Sequence, residues 1–458
     1  MKLDHQFLGT EPVGKLLLKL AIPTVTAQLI NMLYNIVDRV FIGHMPGDGD
    51  LALTGIGICF PLIMLISAFA VLVSGGGAPR ASIAMGRGDS EEAERILGSC
   101  LTLQICISAL LTAALLLWNR DFLLAFGGSE NTIEYAVSYM NVYAVGTLFV
   151  QLTISMNFYI TAQGFAKTSM LTVLIGAVCN IILDPILIFG LNMGVRGAAV
   201  ATVVSQGISC AWVMAFLCGP KTILRVKPNN LRMRKAILFP CLALGLSPFV
   251  MQASESVIFV CFNASLLQYG GDLAVGGLTI LTSVMQFALL PIQGVAQGAQ
   301  PITSYNYGAQ NPERVKAVVF LLIKVCLTYS LILWGLIMVF PRAFAGMFTP
   351  DPTLLDFTAK ALRIYCGGLG IFGLQLACQM TFVAIGYAKS SILVAIVRKF
   401  ILLLPLIYLM PCLLADKTMA VYTAEPVADL IAVTFTAILF GVQFRKTIRK
   451  LEDIPETQ

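Results

Sequence analysis

The chain has 458 residues, of which 58% are hydrophobic and only 12% are charged, whereas soluble domains average about 45–50% apolar and about 25% charged residues. Too few polar groups remain to cover a water-soluble surface, which excludes a soluble enzyme, a disordered chain and a fibrous protein. The formal net charge of +6 does not require a nucleic-acid partner, because the cytoplasmic loops of membrane proteins collect Lys and Arg. The apolar runs are far longer than the ~10-residue segments of a β-barrel. The composition therefore predicts an all-α polytopic membrane protein.

Twelve apolar stretches are long enough to cross a bilayer core, which takes about 20 residues of helix. We predict spans at 15–43, 51–78, 95–118, 131–158, 168–190, 196–219, 235–267, 275–299, 314–340, 357–385, 391–414 and 418–444. Six prolines inside these spans are expected to kink their helices: Pro23, Pro61, Pro185, Pro248, Pro291 and Pro405. The first apolar run continues directly into span one, so we expect no cleavable signal peptide.

Positive charge predicts the orientation of the spans. If both termini and the even-numbered connections face the cytoplasm, 23 of the 30 Lys and Arg residues lie on that side, as the positive-inside rule requires. This count includes Arg398 and Lys399, which follow the connection before span eleven. The densest basic segment, 221–235, joins spans six and seven and is predicted to be a cytoplasmic linker.

The two halves of the chain repeat one another at a constant offset of 222 residues. The sequence GFAKTS at 164–169 recurs as GYAKSS at 386–391, and 11 of the 42 positions from 50 to 91 match their counterparts without a gap. Six spans are an even number, so both copies cross the membrane in the same sense and are related by an axis along its normal. We predict two pseudo-symmetric six-helix bundles, a first lobe at 1–220 and a second at 236–458, separated by the linker. Transporters with a central cleft are built this way, and the alternative is a duplicated scaffold that moves nothing.

Polar side chains on one face of span one predict a site in the first lobe. They follow at spacings of three, four and three residues, which share a helical face: Gln28, Asn31, Asn35 and Asp38. Asn180 and Asp184 lie four residues apart in span five, and Ala198 and Thr202 lie four residues apart in span six. Two carboxylates, an amide oxygen, a hydroxyl and a backbone carbonyl form an all-oxygen set of the kind that hard cations prefer. Two close carboxylates can also share one proton, so we expect the cluster to load and release either Na⁺ or H⁺.

Each carboxylate of this set also has a structural interpretation. Asp38 precedes Arg39 and could form a local ion pair with it, and Asp184 precedes Pro185 and could cap a break in the helix. Twelve scattered Cys and two His offer no spacing typical of a zinc site or a disulfide framework.

The second half offers further polar positions within its spans. Glu255 in span seven is interpreted as a substrate or proton site, with a glutamate satisfied by serines and water as the alternative. Glu425 and Asp429 are interpreted as the solvated start of span twelve at the outer edge of the membrane. A glutamine stripe on span eight, which lines the cleft or forms ordinary interhelical hydrogen bonds, comprises Gln286, Gln293, Gln297 and Gln300.

Several of these residues fall in motifs that resemble those of the multidrug and toxic compound extrusion (MATE) family. The motifs are Asn35-x-x-Asp38-x-x-Phe41-Ile42-Gly43, then 180–185, 197–202, 298–301 and 307–309. The resemblance covers nearly the whole chain and is strongest to the bacterial MepA-like and DinF-like branches.

The resemblance implies a secondary active transporter of the bacterial plasma membrane, not an enzyme, that exports cationic or amphipathic compounds by alternating access in exchange for Na⁺ or H⁺. The family's first-lobe cation site maps onto Asp38, Asn180, Asp184, the backbone of Ala198, and Thr202, and an acid in span seven of some members maps onto Glu255. Those members often carry a second acid in span ten, where this chain has only Gln375 and Gln379, so we place ion coupling in the first lobe. We expect small-molecule drugs or metabolites as cargo, no cofactor besides the coupling ion, no nucleic acid, and a monomer in the lipid bilayer.

Three other functions are alternatives to this one. A lipid-linked oligosaccharide flippase of the same superfamily needs a basic central cavity for pyrophosphate, whereas the spans are interpreted as carrying acids and no buried Arg. A polyprenyl transferase needs Asp-rich metal–diphosphate motifs, which no span contains. A receptor explains neither the internal repeat nor the paired carboxylates.

Overall fold

The computed structural model describes residues 7–45, 49–126 and 129–453, and all its regular elements are helices. Residues 1–6 and 454–458, which belong to the predicted lobes, lie outside this description. The main helices are α1 (Val13–Gly43), α2 (Gly49–Gly86), α3 (Ser90–Ala125), α4 (Ile133–Ala162), α5 (Ala166–Pro185), α6 (Val195–Cys218), α7 (Lys235–Gly308), α8 (Pro312–Val339), α9 (Pro352–Tyr365), α10 (Leu369–Ala384), α11 (Ala388–Ile396), α12 (Leu404–Leu413) and α13 (Lys417–Glu452). The remaining elements are short helical turns at Phe7–Thr10 and Pro341–Gly346, 3₁₀ turns at Pro228–Asn230 and Cys366–Gly368, and π-helical segments at Ile186–Gly190 and Val397–Leu403.

The helices confirm the predicted class of a polytopic membrane protein. Among the described residues, eleven helical stretches are long and apolar enough to cross a membrane. The longest, α7, has 74 residues, and at 1.5 Å per residue it is about three times longer than a bilayer core is thick. It is broken at Gly271, where φ is 61° and ψ is −159°, so it contains spans seven and eight. Apolar side chains such as Leu110, 70% exposed, face outward, where lipid would surround them.

The sequence repeat is also a repeat of structure. Helix α2 runs from 49 to 86, and the second part of α7 runs from the break at Gly271 to Gly308, at the same offset. Left-handed backbone recurs at matching positions, with φ of 86° at Gly164 and 81° at Gly386. Such angles favour glycine because it has no Cβ. The two halves therefore share backbone features at their second span and at the turn before their fifth.

The two halves share one hydrophobic core at one end of the helices and separate at the other. The shared core includes Leu16, Met85 and Ile302, from both halves. At the opposite end, one cluster around Ile42 belongs to the first half and another around Phe262 belongs to the second. We call these the shared end and the split end. The halves therefore pack together at the shared end and have separate cores at the split end.

Glycines bring backbones of the two halves into contact at the shared end. A Cβ on Gly76 of α2 would lie 1.9 Å from the carbonyl oxygen of Cys241 on α7. A second contact is reciprocal, since Gly86 meets the carbonyl of Tyr305 and Gly308 meets the carbonyl of Ile83. Ile83 and Tyr305 are themselves 222 residues apart, so the pseudo-twofold axis passes between these helices.

Replacing Gly76 with alanine is expected to loosen the shared end. The added methyl group would overlap backbone of α7 that no rotamer change can move, a cost of about 1–3 kcal/mol or more. Cys241, fully buried beside it, should then become accessible to a maleimide, with labelling followed by mass spectrometry. Gly57→Ala on the same helix is the control, because its Cβ meets nothing within 4 Å. Equal protection of Cys241 in both variants would contradict this account of the contact.

The connection between α6 and α7 is docked on the first half. Gln163 Oε1 accepts hydrogen bonds from the hydroxyl of Thr222 and from the backbone N–H groups of Ile223 and Leu224, at 2.8 to 2.9 Å. Lys227 of the same connection pairs with Glu94 on α3. The segment predicted as a linker is thus held against α3 and α4 rather than extending freely from the protein.

Candidate functional site

The two predicted carboxylates of the first half lie side by side. Asp184 is fully buried near the end of α5, and Asn180 donates to its Oδ1 from one turn earlier, at 3.4 Å. Asp38 of α1 packs beside them, with its carboxyl group within hydrogen-bonding reach of the carboxyl group of Asp184. The structure therefore brings together residues that are almost 150 positions apart in the sequence.

Three buried oxygens of this group have no hydrogen-bond donor: Asp38 Oδ1, Asn180 Oδ1 and Asp184 Oδ2. Buried acceptors without a donor cost free energy, and two adjacent carboxylates repel each other when both are charged. A proton or a small hard cation relieves both costs. These oxygen ligands thus fit Na⁺ or H⁺, and the group contains no sulfur or imidazole ligand.

The structural interpretations of the two carboxylates are not supported. The guanidinium of Arg39 lies over the ring of Phe60, 5.2 Å from its centroid, and within the described ranges no ion pair joins it to Asp38. The π-helical segment that follows Asp184 begins without a side-chain cap. The helix widens there instead of stopping, an irregularity often found at functional sites.

Thr202 and Ala198 occupy the neighbouring turn of α6. The Thr202 hydroxyl donates to the Ala198 carbonyl at 3.0 Å, so that carbonyl already has one partner and the hydroxyl oxygen keeps its lone pairs. The Tyr139 hydroxyl of α4 lies within hydrogen-bonding reach of Thr202. Tyr34, one turn before Asp38 on α1, adds a second phenol beside the carboxylates. Sequence patterns offer no reason to choose these two tyrosines over other aromatic residues, because the packing of α1 against α5 and of α4 against α6 brings them here.

A cavity of about 360 Å³ lies next to the carboxylate pair. Asn180 and Thr202 form one wall, and the predicted cleft residues Gln28 and Asn31 line it too. The predicted cleft residues Asn35 and Gln286 are not part of its lining and lie at exposed positions, where the Asn35 amide donates to the Asn31 carbonyl at 2.6 Å. Among the described residues that line this cavity, all the polar side chains are uncharged.

The glutamine stripe on the second part of α7 serves both of its predicted roles. The amide of Gln28 donates to Gln297 Oε1 across the two halves at 3.1 Å. Gln297 and Gln300 also line the cavity. These side chains therefore join the halves and form the wall of the cavity at the same time.

A buried charge network fills the second half, and it corrects three predictions. Arg398 donates to Asp429 at 2.8 Å and to Glu425 at 3.0 Å, and Lys399 donates to Glu255 at 2.6 Å. Glu425 and Asp429 are not a solvated helix start, because their side chains are only 8% and 2% exposed. Arg398 and Lys399 are not on the cytoplasmic side, and the interpretation that the spans contain no buried Arg is wrong.

Backbone irregularities make room for this network. Arg398 and Lys399 lie in the π-helical segment between α11 and α12, and the Arg398 guanidinium covers the ring of Phe372 at 4.6 Å. A Cβ on Gly368 would be 2.7 Å from Cβ of Asp429, so glycine there lets the carboxylate approach α10. One sequence signal could have found the network: two adjacent bases inside an apolar span, with two acids four residues apart in the next span.

The chain is similar in sequence and in fold to known membrane transporters. A family model described as MatE matches residues 23–186 and 248–409. The multidrug export protein MepA of Staphylococcus haemolyticus is 23% identical over 98% of both chains. An FAD transporter of Shewanella oneidensis is 23% identical over 88% of this chain and 89% of its own length. A crystal structure of MATE in the bent conformation superimposes with a TM-score of 0.92 at 22% identity, covering 99% of this chain and all of that one.

Proposed function

Since the chain belongs to the MATE family of membrane transporters, we propose that it is a multidrug antiporter that exports cationic and amphipathic compounds in exchange for Na⁺ or H⁺. The observation that carries this proposal is the Asp38–Asp184 pair, with its three buried oxygens that lack donors, beside a polar cavity between the halves. The printed name of the MepA relative, a multidrug export protein, supports the direction and breadth of transport.

The proposed cycle follows from the charge of the carboxylate pair. With the split end open, the pair takes up a cation from outside, which neutralises a carboxylate and weakens the hold on a cationic substrate. With the opposite end open, the cation leaves and the recharged pair favours substrate binding. Coupling requires that the empty, doubly charged pair resists the change of state, because moving unpaired charge through a low-dielectric region is costly.

The driving force limits what such a carrier can accumulate. One charge crossing about 100 mV contributes roughly 2.3 kcal/mol, and a tenfold ion gradient adds about 1.4 kcal/mol. Exchange of one cation for one neutral compound then sustains an accumulation of several hundredfold, roughly. One-for-one exchange with a monovalent cation cancels the voltage contribution and leaves about tenfold.

We further propose two lobes, at 1–220 and 236–458, that rock about the shared end, in a monomer of the bacterial plasma membrane with both termini in the cytoplasm. The shared core and the clusters confined to one half support rocking. The bias of Lys and Arg toward the connections at the shared end supports the orientation. Moving Arg398 and Lys399 from the cytoplasmic count into the second half leaves the direction of that bias unchanged.

The flippase alternative is weaker, even though the spans do contain a buried Arg. Arg398 is buried, but it is bound by two carboxylates, and Lys399 is bound by a third. The described residues that line the central cavity include no base. A pyrophosphate group would therefore find no free cation there.

Ion flux in liposomes containing the purified protein tests the proposal. We expect a lipophilic cationic dye to stimulate an opposite flux of Na⁺ or H⁺, with the Na⁺ gradient and the pH gradient imposed separately to identify the ion. FAD serves as a second cargo, because one relative carries that name. Dye movement that ignores both gradients would contradict an antiporter, and flux with FAD alone would contradict the proposed substrate class.

A further inference from the structure

A second cavity, of about 320 Å³, lies at the shared end of the helices and is separate from the central cavity. Arg87, directly after α2, lines it from the first half, whereas Tyr307, Tyr387 and Lys450 line it from the second half. Gly308, which packs against the first half in the reciprocal glycine contact, also belongs to the lining. The cavity therefore borders the place where the two halves are joined.

Two bases without partners face this cavity. Arg87 and Lys450 are exposed, and neither forms a hydrogen bond or an ion pair in the part of the chain that the structure describes. Two acids close to them in the sequence are engaged elsewhere, since Asp89 caps the start of α3 and Glu452 pairs with Lys316. The described lining contains no acid. Two positive charges directed at one cavity favour an anion there.

A row of hydroxyl groups adds a neutral donor beside the bases. The hydroxyl of Thr447 donates to the carbonyl of Gln443 at 2.9 Å, so its oxygen accepts from the hydroxyl of Tyr387, 2.6 Å away. The hydroxyl of Tyr307 lies within hydrogen-bonding reach of Tyr387. Each phenol has one proton to donate. The proton of Tyr387 is already used, whereas that of Tyr307 can turn either to Tyr387 or to a ligand in the cavity.

The corresponding positions in the first half are apolar. With the offset of 222 residues, Tyr307 corresponds to Met85 and Tyr387 corresponds to Phe165. Met85 is fully buried in the shared core, and Phe165 packs against that core, edge-on to the ring of Phe216 at 5.4 Å. The fold is therefore compatible with apolar side chains at these positions, and the hydroxyl groups of the second half are not needed to build it.

We propose that this cavity binds a phosphate group, which accepts hydrogen bonds from Arg87, Lys450 and the hydroxyl of Tyr307. A guanidinium group matches two phosphate oxygens at once, and an ammonium group adds a compact positive charge. The volume is within the range of small-molecule sites. The same phosphate chemistry is found in a soluble phosphate monoester and in the headgroup of an anionic lipid, whose attraction to bases near the membrane surface is strong.

A phosphate group in this position joins the two halves. Arg87 belongs to the first half, and Lys450 and Tyr307 belong to the second. Opening of the shared end separates these side chains and breaks their contacts with one ligand, so a bound phosphate favours the state in which the split end is open. Binding itself is independent of the proposed transport cycle, whereas this preference rests on the proposed rocking of the halves.

Calorimetric titration of the purified full chain in a neutral detergent tests the site. The two probes are glycerol phosphate and a short-chain phosphatidic acid, each compared with its phosphate-free counterpart, glycerol or the matching diacylglycerol. We expect Arg87→Gln and Lys450→Gln each to weaken binding of phosphatidic acid by about fivefold to tenfold, the usual loss for a charge-assisted contact near the surface. Tyr307→Phe should weaken it by about threefold, and the double variant of the two bases should bind neither probe.

Two variants separate recognition of phosphate from a general effect of charge. Arg449→Gln removes an exposed base next to Lys450 that is not part of the lining, and it should bind phosphatidic acid as the unmodified protein does. Arg87→Lys keeps the charge and should retain most of the binding. Added salt should weaken binding by the unmodified protein, because ions screen the contacts of exposed bases.

Maleimide labelling of Cys241, followed by mass spectrometry, tests the joining of the halves. Cys241 is fully buried at the shared end, so its labelling reports how often that end opens. The phosphate probe that binds should slow this labelling in the unmodified protein and leave it unchanged in the double variant of Arg87 and Lys450.

The possible outcomes separate this site from the proposed transport function. Binding of both probes identifies a site for the phosphate group itself, and binding of phosphatidic acid alone identifies a lipid headgroup site. Binding of neither probe, or equal binding by the double variant and the unmodified protein, would overturn the proposal. Binding without slower labelling of Cys241 would overturn the joining of the halves. Absence of ion-coupled dye flux would overturn the proposed function and leave the calorimetric result unaffected.

Discussion

Replacing Asp38 and Asp184 together with asparagine should abolish efflux driven by an ion gradient. Asparagine keeps the size and the hydrogen bonds of each side chain but carries no charge, so the pair can no longer exchange a proton or Na⁺ for substrate. Removing two adjacent like charges from a buried site should not lower the stability of the fold. We expect gradient-driven efflux of a cationic dye to fall to the level of empty liposomes, and binding of the dye in detergent to weaken, because the neutral pair resembles the cation-loaded state.

The control for this loss is a pair of acids in the same half. Asp121 and Glu130 are both exposed, and Asp121→Asn with Glu130→Gln removes the same number of charges away from the cavity. Gradient-driven efflux should be unchanged in this control. Efflux that survives in the Asp38 and Asp184 variant would show that the cation is coupled elsewhere, and the network around Arg398 would be the next place to look.

Replacing Arg398 with methionine should be among the most destabilising single changes in the second half. It leaves Glu425 and Asp429 buried without their shared cation, and removing one partner of a buried ion pair costs about 3–5 kcal/mol. The free energy of unfolding in mild detergent measures this loss. Adding Glu425→Gln and Asp429→Asn to the same variant removes the uncompensated charges and should restore most of the stability.

Arg342→Met provides the matched control. Arg342 pairs with Asp356 at 2.8 Å in the same half, but the two side chains are 72% and 60% exposed. Exposed pairs contribute about 0–1 kcal/mol, so this variant should unfold close to the unmodified protein. If Arg398→Met is no less stable than Arg342→Met, the network contributes little to the fold.

The sequence was sufficient for the spans and for the repeat because both are local properties. Apolar length identifies each helix, and the pairing of Gly164 with Gly386 is visible by alignment alone. The stripe that contains Asp38 and the i, i+4 pair of Asn180 and Asp184 predicted the first-half cluster because helical periodicity fixes which side chains share a face. Its role in ion coupling stays a prediction.

The network of the second half was missed for a physical reason. Arg398 and Lys399 lie early in a span, so a count of charges assigns them to the nearest connection. Their acidic partners are on α13 and α7, and only the packing of these helices against the π-helical segment brings them close. Glu425 and Asp429 lie in the third and fourth turns of α13, and position in a helix does not reveal burial. The network joins charged residues from three separate segments, and such a contact is a tertiary property that no single stretch of sequence reveals.

The reciprocal contact at the shared end bears on how a chain of this kind can be assembled. Gly86 packs against the carbonyl of Tyr305, and Gly308 packs in the same way against the carbonyl of Ile83. Each half therefore contacts the other through the same backbone surface. That is the geometry of an isologous interface, in which one patch is complementary to itself. Two identical six-helix chains with this patch could dimerise through it without a new surface, and covalent fusion would then require only a tether of about the length of segment 219–234.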